Sequence, residues 1–232
     1  MRIALVTLSM ALMVAVGSPG FASGGGMMRQ SAPPPPQQQA PREATPAQKA
    51  AGVYNEGVRL VKKADKAQEA ATAATDAGKK DKAAHEANDK YASAHAKFEQ
   101  ATQIDPTAHE AWSYLGYTSR KLGHYADALA AYDKALSLKP GYPEALEYRG
   151  EAYLGLDHIP DAKQAYLDLY AGNRALAEKL LNAMKAWVAA QHAAPGGAGS
   201  GVDDFDHWIQ ERAQISAQTA MLTRAGTAAS WR

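Results

Sequence analysis

The chain reads as an all-α array of about three helical hairpins plus a capping helix. The first hairpin is elongated, a disordered linker precedes it, and a short helix closes the chain. Three observations carry this reading. A period of about 34 residues runs through the middle: Gly116 recurs as Gly150, Ala94 as Ala128 and Ala162, and Phe98 as Tyr132 and Tyr166. Alanine dominates the 46% hydrophobic content, which favours helix and builds only shallow cores. All eleven tyrosines lie between Tyr54 and Tyr170, so the structured body belongs there.

The 232 residues allow one to two domains. Lysine and arginine number 25 against 24 acids, a net charge of +1, so no field points to nucleic acid or an anionic surface. The absence of cysteine excludes disulfides, thiolate zinc sites and a cysteine nucleophile.

Residues 1–22 read as a secretory signal peptide. Arg2 supplies the basic end, Ile3 to Val16 form an apolar run, and Gly20-Phe21-Ala22 fits a cleavage site. A spanning helix needs about 20 apolar residues, so the run is short for a stable anchor; an uncleaved tether is the alternative. The expected location is therefore exported, in the periplasm or cell envelope. Residues 23–46 hold six of the twelve prolines and read as a semi-stiff spacer, with a Pro-rich recognition ligand as the alternative.

Within the body, proline ends each unit at Pro106 and Pro140, because it cannot continue a helix. Thr107 with Glu110 has the spacing of a capping box, and Pro143 and Pro160 suit first helical positions. Trp112, Leu115, Gly116, Ala128, Tyr132, Ala135 and Pro140 resemble the tetratricopeptide repeat family, whose pattern is W-x-x-L-G, small, aromatic, small and a closing Pro. One repeat runs over 109–142 and a second over 143–176, the latter with Leu146, Gly150, Tyr153, Ala162 and Tyr166 matching. Departures stand at Ser119 in the first and at Arg149, Leu169 and Arg174 in the second.

A divergent repeat occupies 47–108. Thr45-Pro46-Ala47-Gln48 is a capping box with Pro at the first helical position. Val53, Tyr54, Gly57 and Leu60 then resemble first-helix positions. The Gly-to-Ala spacing is far wider from Gly57 to Ala94 than from Gly116 to Ala128. The excess is about seven helical turns, so both helices lengthen and keep their facing. The spacing predicts a protruding, alanine-lined hairpin that turns at Asp76-Ala77-Gly78-Lys79; a disordered charged insertion is the alternative. A capping helix is expected over 177–191, with Leu180, Leu181, Met184, Trp187 and Val188 on its apolar stripe. Residues 192–232 hold a glycine-rich break and a short amphipathic helix with Phe205, Trp208 and Ile209, fraying from Thr223 onward.

No catalytic, cofactor or metal constellation stands out. His85 and His95 are off any ligand spacing, and Asp203 to His207 reads as a helix start rather than a calcium loop. No phosphate-binding Gly loop, nucleophile elbow or zincin motif occurs. The resemblance implies a non-enzymatic adaptor or assembly factor that binds a protein or peptide in a concave groove. It maps that groove onto Tyr54, Ser113, Tyr114, Tyr117, Arg120, Lys121, Glu147, Tyr148 and Glu151. Packing between helices is the alternative role for Tyr117 and Tyr148. Some members dock chaperones through a Lys/Asn/Arg carboxylate clamp; Tyr54, Val58, Tyr114, Glu144 and Tyr148 stand at those positions, so that use is not implied. The alternatives are self-association through the long hairpin or the Phe205/Trp208 segment, and an accessory subunit of an envelope polysaccharide or peptidoglycan enzyme. A tail that folds back into its own groove is a further reading.

Overall fold

The computed structural model describes residues 44–195 and 200–229, with side chains to Leu222. The signal peptide and nearly all of the proline-rich linker lie outside the described residues, as does most of the glycine-rich break. Eight helices follow in order among the described residues: α1 (Pro46–Ala73), α2 (Ala77–Ile104), α3 (His109–Lys121), α4 (Tyr125–Leu138), α5 (Pro143–Gly155), α6 (Ile159–Gly172), α7 (Arg174–Ala193) and α8 (Ser200–Ala229). Consecutive helices pair as hairpins. Each new odd-numbered helix packs against both members of the hairpin before it: α3 on α1 and α2, α5 on α3 and α4, α7 on α5 and α6. The odd-numbered helices therefore touch one another in sequence and form one continuous face.

A close approach of backbone and ring sets each of the first two hairpins. A Cβ built on Gly116 would lie 2.6 Å from the Tyr132 ring, and one on Gly57 would lie 2.8 Å from Phe98. Both rings are fully buried. The two pairs are therefore the same contact. One closes over a short connection and the other over a long one, and the difference is the added length of α1 and α2. These hold 28 residues each, against 13 and 14 in α3 and α4. Beyond the glycine contact, Ala64, Ala67, Ala71 and Ala87 fill the seam between the two long helices. In the α5–α6 hairpin, Gly150 faces Leu180 of α7 instead, and Tyr166 turns toward Trp208 and Tyr170.

The helix ends follow local chemistry. At Thr45 both arms of the capping box form, with Gln48 N–H donating to the Thr45 hydroxyl at 3.2 Å and Thr45 N–H donating to the Gln48 side chain at 2.9 Å. The box expected at Thr107 does not form. Its hydroxyl donates to Asp105 at 2.6 Å and leaves Ala108 as an uncapped start for α3. The first hairpin turns at Ala74, Thr75 and Asp76, two residues before the expected position, because the Asp76 carboxylate accepts the Lys79 N–H and starts α2 at once. Gly123 closes the turn of the α3–α4 hairpin at φ 83°, and Asp157, at the equivalent place in the next repeat, holds the same left-handed region at φ 58°.

The C-terminal helix is longer than its apolar pattern indicates: α8 runs 30 residues, and its backbone stays helical through Thr223 to Ala229. It lies on α7 and buries Phe205 and Ile209 completely. Trp208 meets the edge of Tyr166 at 5.4 Å, and Lys163 of α6 lies over the Phe205 and Trp208 rings. Helix α7 caps the α5–α6 hairpin, and α8 in turn covers α7. The contacts of α8 with α6 and α7 lie away from the Tyr54, Tyr114 and Tyr148 rings.

Gly116→Ala is expected to lower stability by about 1–3 kcal/mol, since Tyr132 has no free volume to enter. Gly52, exposed on α1 with nothing near its would-be Cβ, is the control: Gly52→Ala should raise stability by about 0.5–1 kcal/mol. Urea midpoints of the two variants check the contrast, and equal effects would refute the close-approach account.

Candidate functional site

The odd-helix face is built around a row of rings. Tyr54 of α1 meets Phe98 at 5.7 Å and Tyr114 at 5.6 Å, both edge-on, and Tyr114 stacks on Phe98 at 5.1 Å. The row continues through Tyr117 to Tyr148 of α5, with centroids 6.1 Å and 4.9 Å apart. Such contacts add about 0.5–1.5 kcal/mol each beyond buried area, so the row joins three hairpins rather than decorating them. Tyr54, Tyr114 and Tyr148 remain partly exposed.

Beside the rings runs a string of charges, one or more from each of the odd helices α1 to α7. Asp65 of α1 accepts the hydroxyls of Tyr91 and Tyr117 at 2.6 and 2.7 Å. Burial first, and the hydrogen bond and charge of Asp65 with it, push both phenols well above the ordinary range. Lys121 lies 5.6 Å from the Tyr91 and Tyr117 ring centres, and its pKa is lowered by burial and by the neighbouring Arg120. Arg120 pairs with Glu151 of α5 at 2.5 Å. Glu147, one turn earlier on α5, is fully buried and pairs with Lys179 of α7 at 3.0 Å. Burial works against both carboxylates of α5. Arg120 nevertheless holds Glu151 below its usual range, while Glu147 is pushed up to about 8 by burial and by the hydrogen bond and charge of Glu151.

Of the nine residues expected to line the groove, Tyr54, Tyr114, Arg120, Lys121, Tyr148 and Glu151 keep partial exposure. Ser113, Tyr117 and Glu147 are buried instead. Tyr117 is held in by three neighbouring rings and by Asp65, and Glu147 is drawn under α7 by Lys179. Ser113 is too short to emerge from the packed α3. Two departures from the repeat pattern also acquire partners. Ser119 sits 3.1 Å from the His95 ring nitrogen, and Arg149 pairs with Asp133 of α4 at 2.8 Å.

Asp65 and Lys179 were missed by sequence reasoning, though each left a signal. Asp65 continues the i, i+4 row of Gly57 and Val61, both buried. Lys179 stands one repeat after Ala145 and two after Ala111, which are buried alanines in the preceding units. The anchors expected for self-association are spent internally, since Phe205 is buried and Trp208 packs on Tyr166.

The family model of the tetratricopeptide repeat matches residues 109–142, which span α3, α4 and the turn into α5. No curated protein matches the chain. The match and the repeated hairpin packing support a tetratricopeptide-repeat protein. Repeats of this class are typically non-catalytic modules for binding other proteins. None of the described helices is long and apolar enough to cross a membrane.

The raised carboxyl makes a pH prediction. A group whose folded pKa exceeds its unfolded value contributes stability that is complete below the unfolded value of 4.5 and is lost as pH rises through about 8. The native chain should therefore lose stability relative to Glu147→Gln between about pH 5 and about pH 9. Urea midpoints across that range test it, and parallel curves for the two proteins would sink the assignment.

Proposed function

We propose that the protein is an exported, non-enzymatic adaptor or assembly factor of the periplasm or cell envelope. It binds a partner peptide along the odd-helix face. The observation that carries this reading is the ring row itself. Tyr54, Tyr114 and Tyr148 come from three successive hairpins, are fixed by ring contacts, and keep exposed area. Tyrosine suits such a role because it offers a large flat surface and a polar tip at small entropic cost. A face whose rings are already locked loses little freedom on binding, so more of the contact energy appears as affinity. Export rests on the N-terminal pattern of Arg2, the Ile3 to Val16 apolar run and Gly20-Phe21-Ala22.

Two measurements test these claims separately. A photo-crosslinking amino acid placed at Tyr54 or Tyr148 in living cells should trap a discrete partner, while the same probe at Lys134, exposed on α4, should not. Equal yields at all three positions would remove the odd-helix face as the binding surface. N-terminal sequencing of the protein from its native host should begin at Ser23; retention of Met1 in a cytosolic fraction would end the export claim.

A further inference from the structure

A cavity lies at one end of the ring row, where the start of α1 meets the end of α2 and the start of α3. It has a volume of about 420 Å³. Ala50, Ala101 and Ala111 are buried in its wall, while Ala47, Ala51 and Ala108 lie nearer the mouth. The cavity exists because all six are alanine: three helices meet, and no side chain is long enough to fill the space between them. Tyr54 forms one side, and Phe98 and Tyr114 hold its ring in place. The other two lining residues are Asp105 and Glu110. Thr107 donates both its N–H and its hydroxyl to Asp105, which keeps that carboxylate ionised, and Glu110 is about half exposed. His109 approaches Glu110 at 3.1 Å but does not line the cavity. Among the described residues no lysine or arginine does so either.

We propose that this cavity is the anchor socket of the partner-binding face, and that it takes an apolar side chain of leucine or phenylalanine size from a partner segment in which an adjacent residue is lysine or arginine. The inference rests on the adaptor reading above and gives its ligand a chemistry. An apolar socket with rigid walls supplies the affinity of a single anchor. Two carboxylates with no lining cation select what flanks that anchor, favouring a basic neighbour and repelling an acidic one. The socket opens beside Tyr54, so a peptide anchored there continues over Tyr114 toward Tyr148.

The test is a displayed random-peptide library panned on the full chain. The strongest binders are then made synthetically and titrated by fluorescence anisotropy. The expected binders share an apolar residue beside lysine or arginine. Ala51→Phe, an exposed change on α1 that fills the mouth, should weaken them by about tenfold or more. Glu110→Lys should weaken them and flatten their dependence on salt. Both variants should keep the native melting temperature. Binders with acidic flanks, or binders indifferent to Ala51→Phe, would overturn the socket while leaving the adaptor reading intact. A library that enriches nothing would overturn both. A solution mass above one chain that Ala51→Phe returns to a single chain would assign the cavity to a second copy and overturn the proposal.

Discussion

In the first two hairpins a helix backbone passes a buried aromatic ring at a distance that no Cβ would allow: Gly57 on Phe98 and Gly116 on Tyr132. The rest of the array depends on this contact. It lets two helices approach closely although the cores are made mostly of alanine, and it fixes the ring that the next odd helix must pack against. Tyr132 touches Tyr148 of α5, and Phe98 touches Tyr114 of α3. A glycine inside one hairpin thereby sets the position of the hairpin that follows. In a stack where each unit contacts only its neighbours, such links carry the cooperativity.

The long first hairpin shows how much freedom this leaves. Helices α1 and α2 extend well past the glycine contact, yet the joint to α3 is kept. Asp65 ties the extension back by accepting one hydroxyl from its own hairpin and one from α3. A carboxylate shared by two tyrosines is costly to bury alone but well satisfied when both donors are present. The hairpin can therefore project without loosening its angle to the repeats, and its seam needs only small residues such as Ala64, Ala71 and Ala87.

The same face that joins the hairpins is the one proposed to bind. Its polar groups are used largely on each other: Arg120 pairs with Glu151 across α3 and α5, and Lys179 of α7 donates to the Glu147 carboxyl of α5. Those pairs orient neighbouring helices and leave the rings as the main adhesive surface. At the α1 end the balance shifts, because Asp105 and Glu110 border a cavity that no lysine or arginine lines among the described residues. A preformed face that is packed in its middle and unfilled at one end is suited to a ligand that docks by one anchor and lies along the rest.

Several features were legible in the residues alone. The recurrence of small and aromatic positions, the capping box at Thr45 and the excess spacing between Gly57 and Ala94 each report a local or periodic constraint, and such constraints are written along the chain. Only the tertiary structure decided which side chains of the odd helices stay on the surface. Tyr117 and Glu147 share their helices with exposed residues, and they are buried because Asp65 and Lys179 arrive from α1 and α7. The Thr107 box yielded to Asp105 for a comparable reason: Asp105 accepts the Thr107 N–H that the Glu110 side chain would have taken, and the hydroxyl as well. The alanine-walled cavity and the packing of α8 on α6 and α7 were likewise invisible in sequence. Each depends on what three helices leave between them, and periodicity encodes which residues face inward but not how completely their neighbours fill the space.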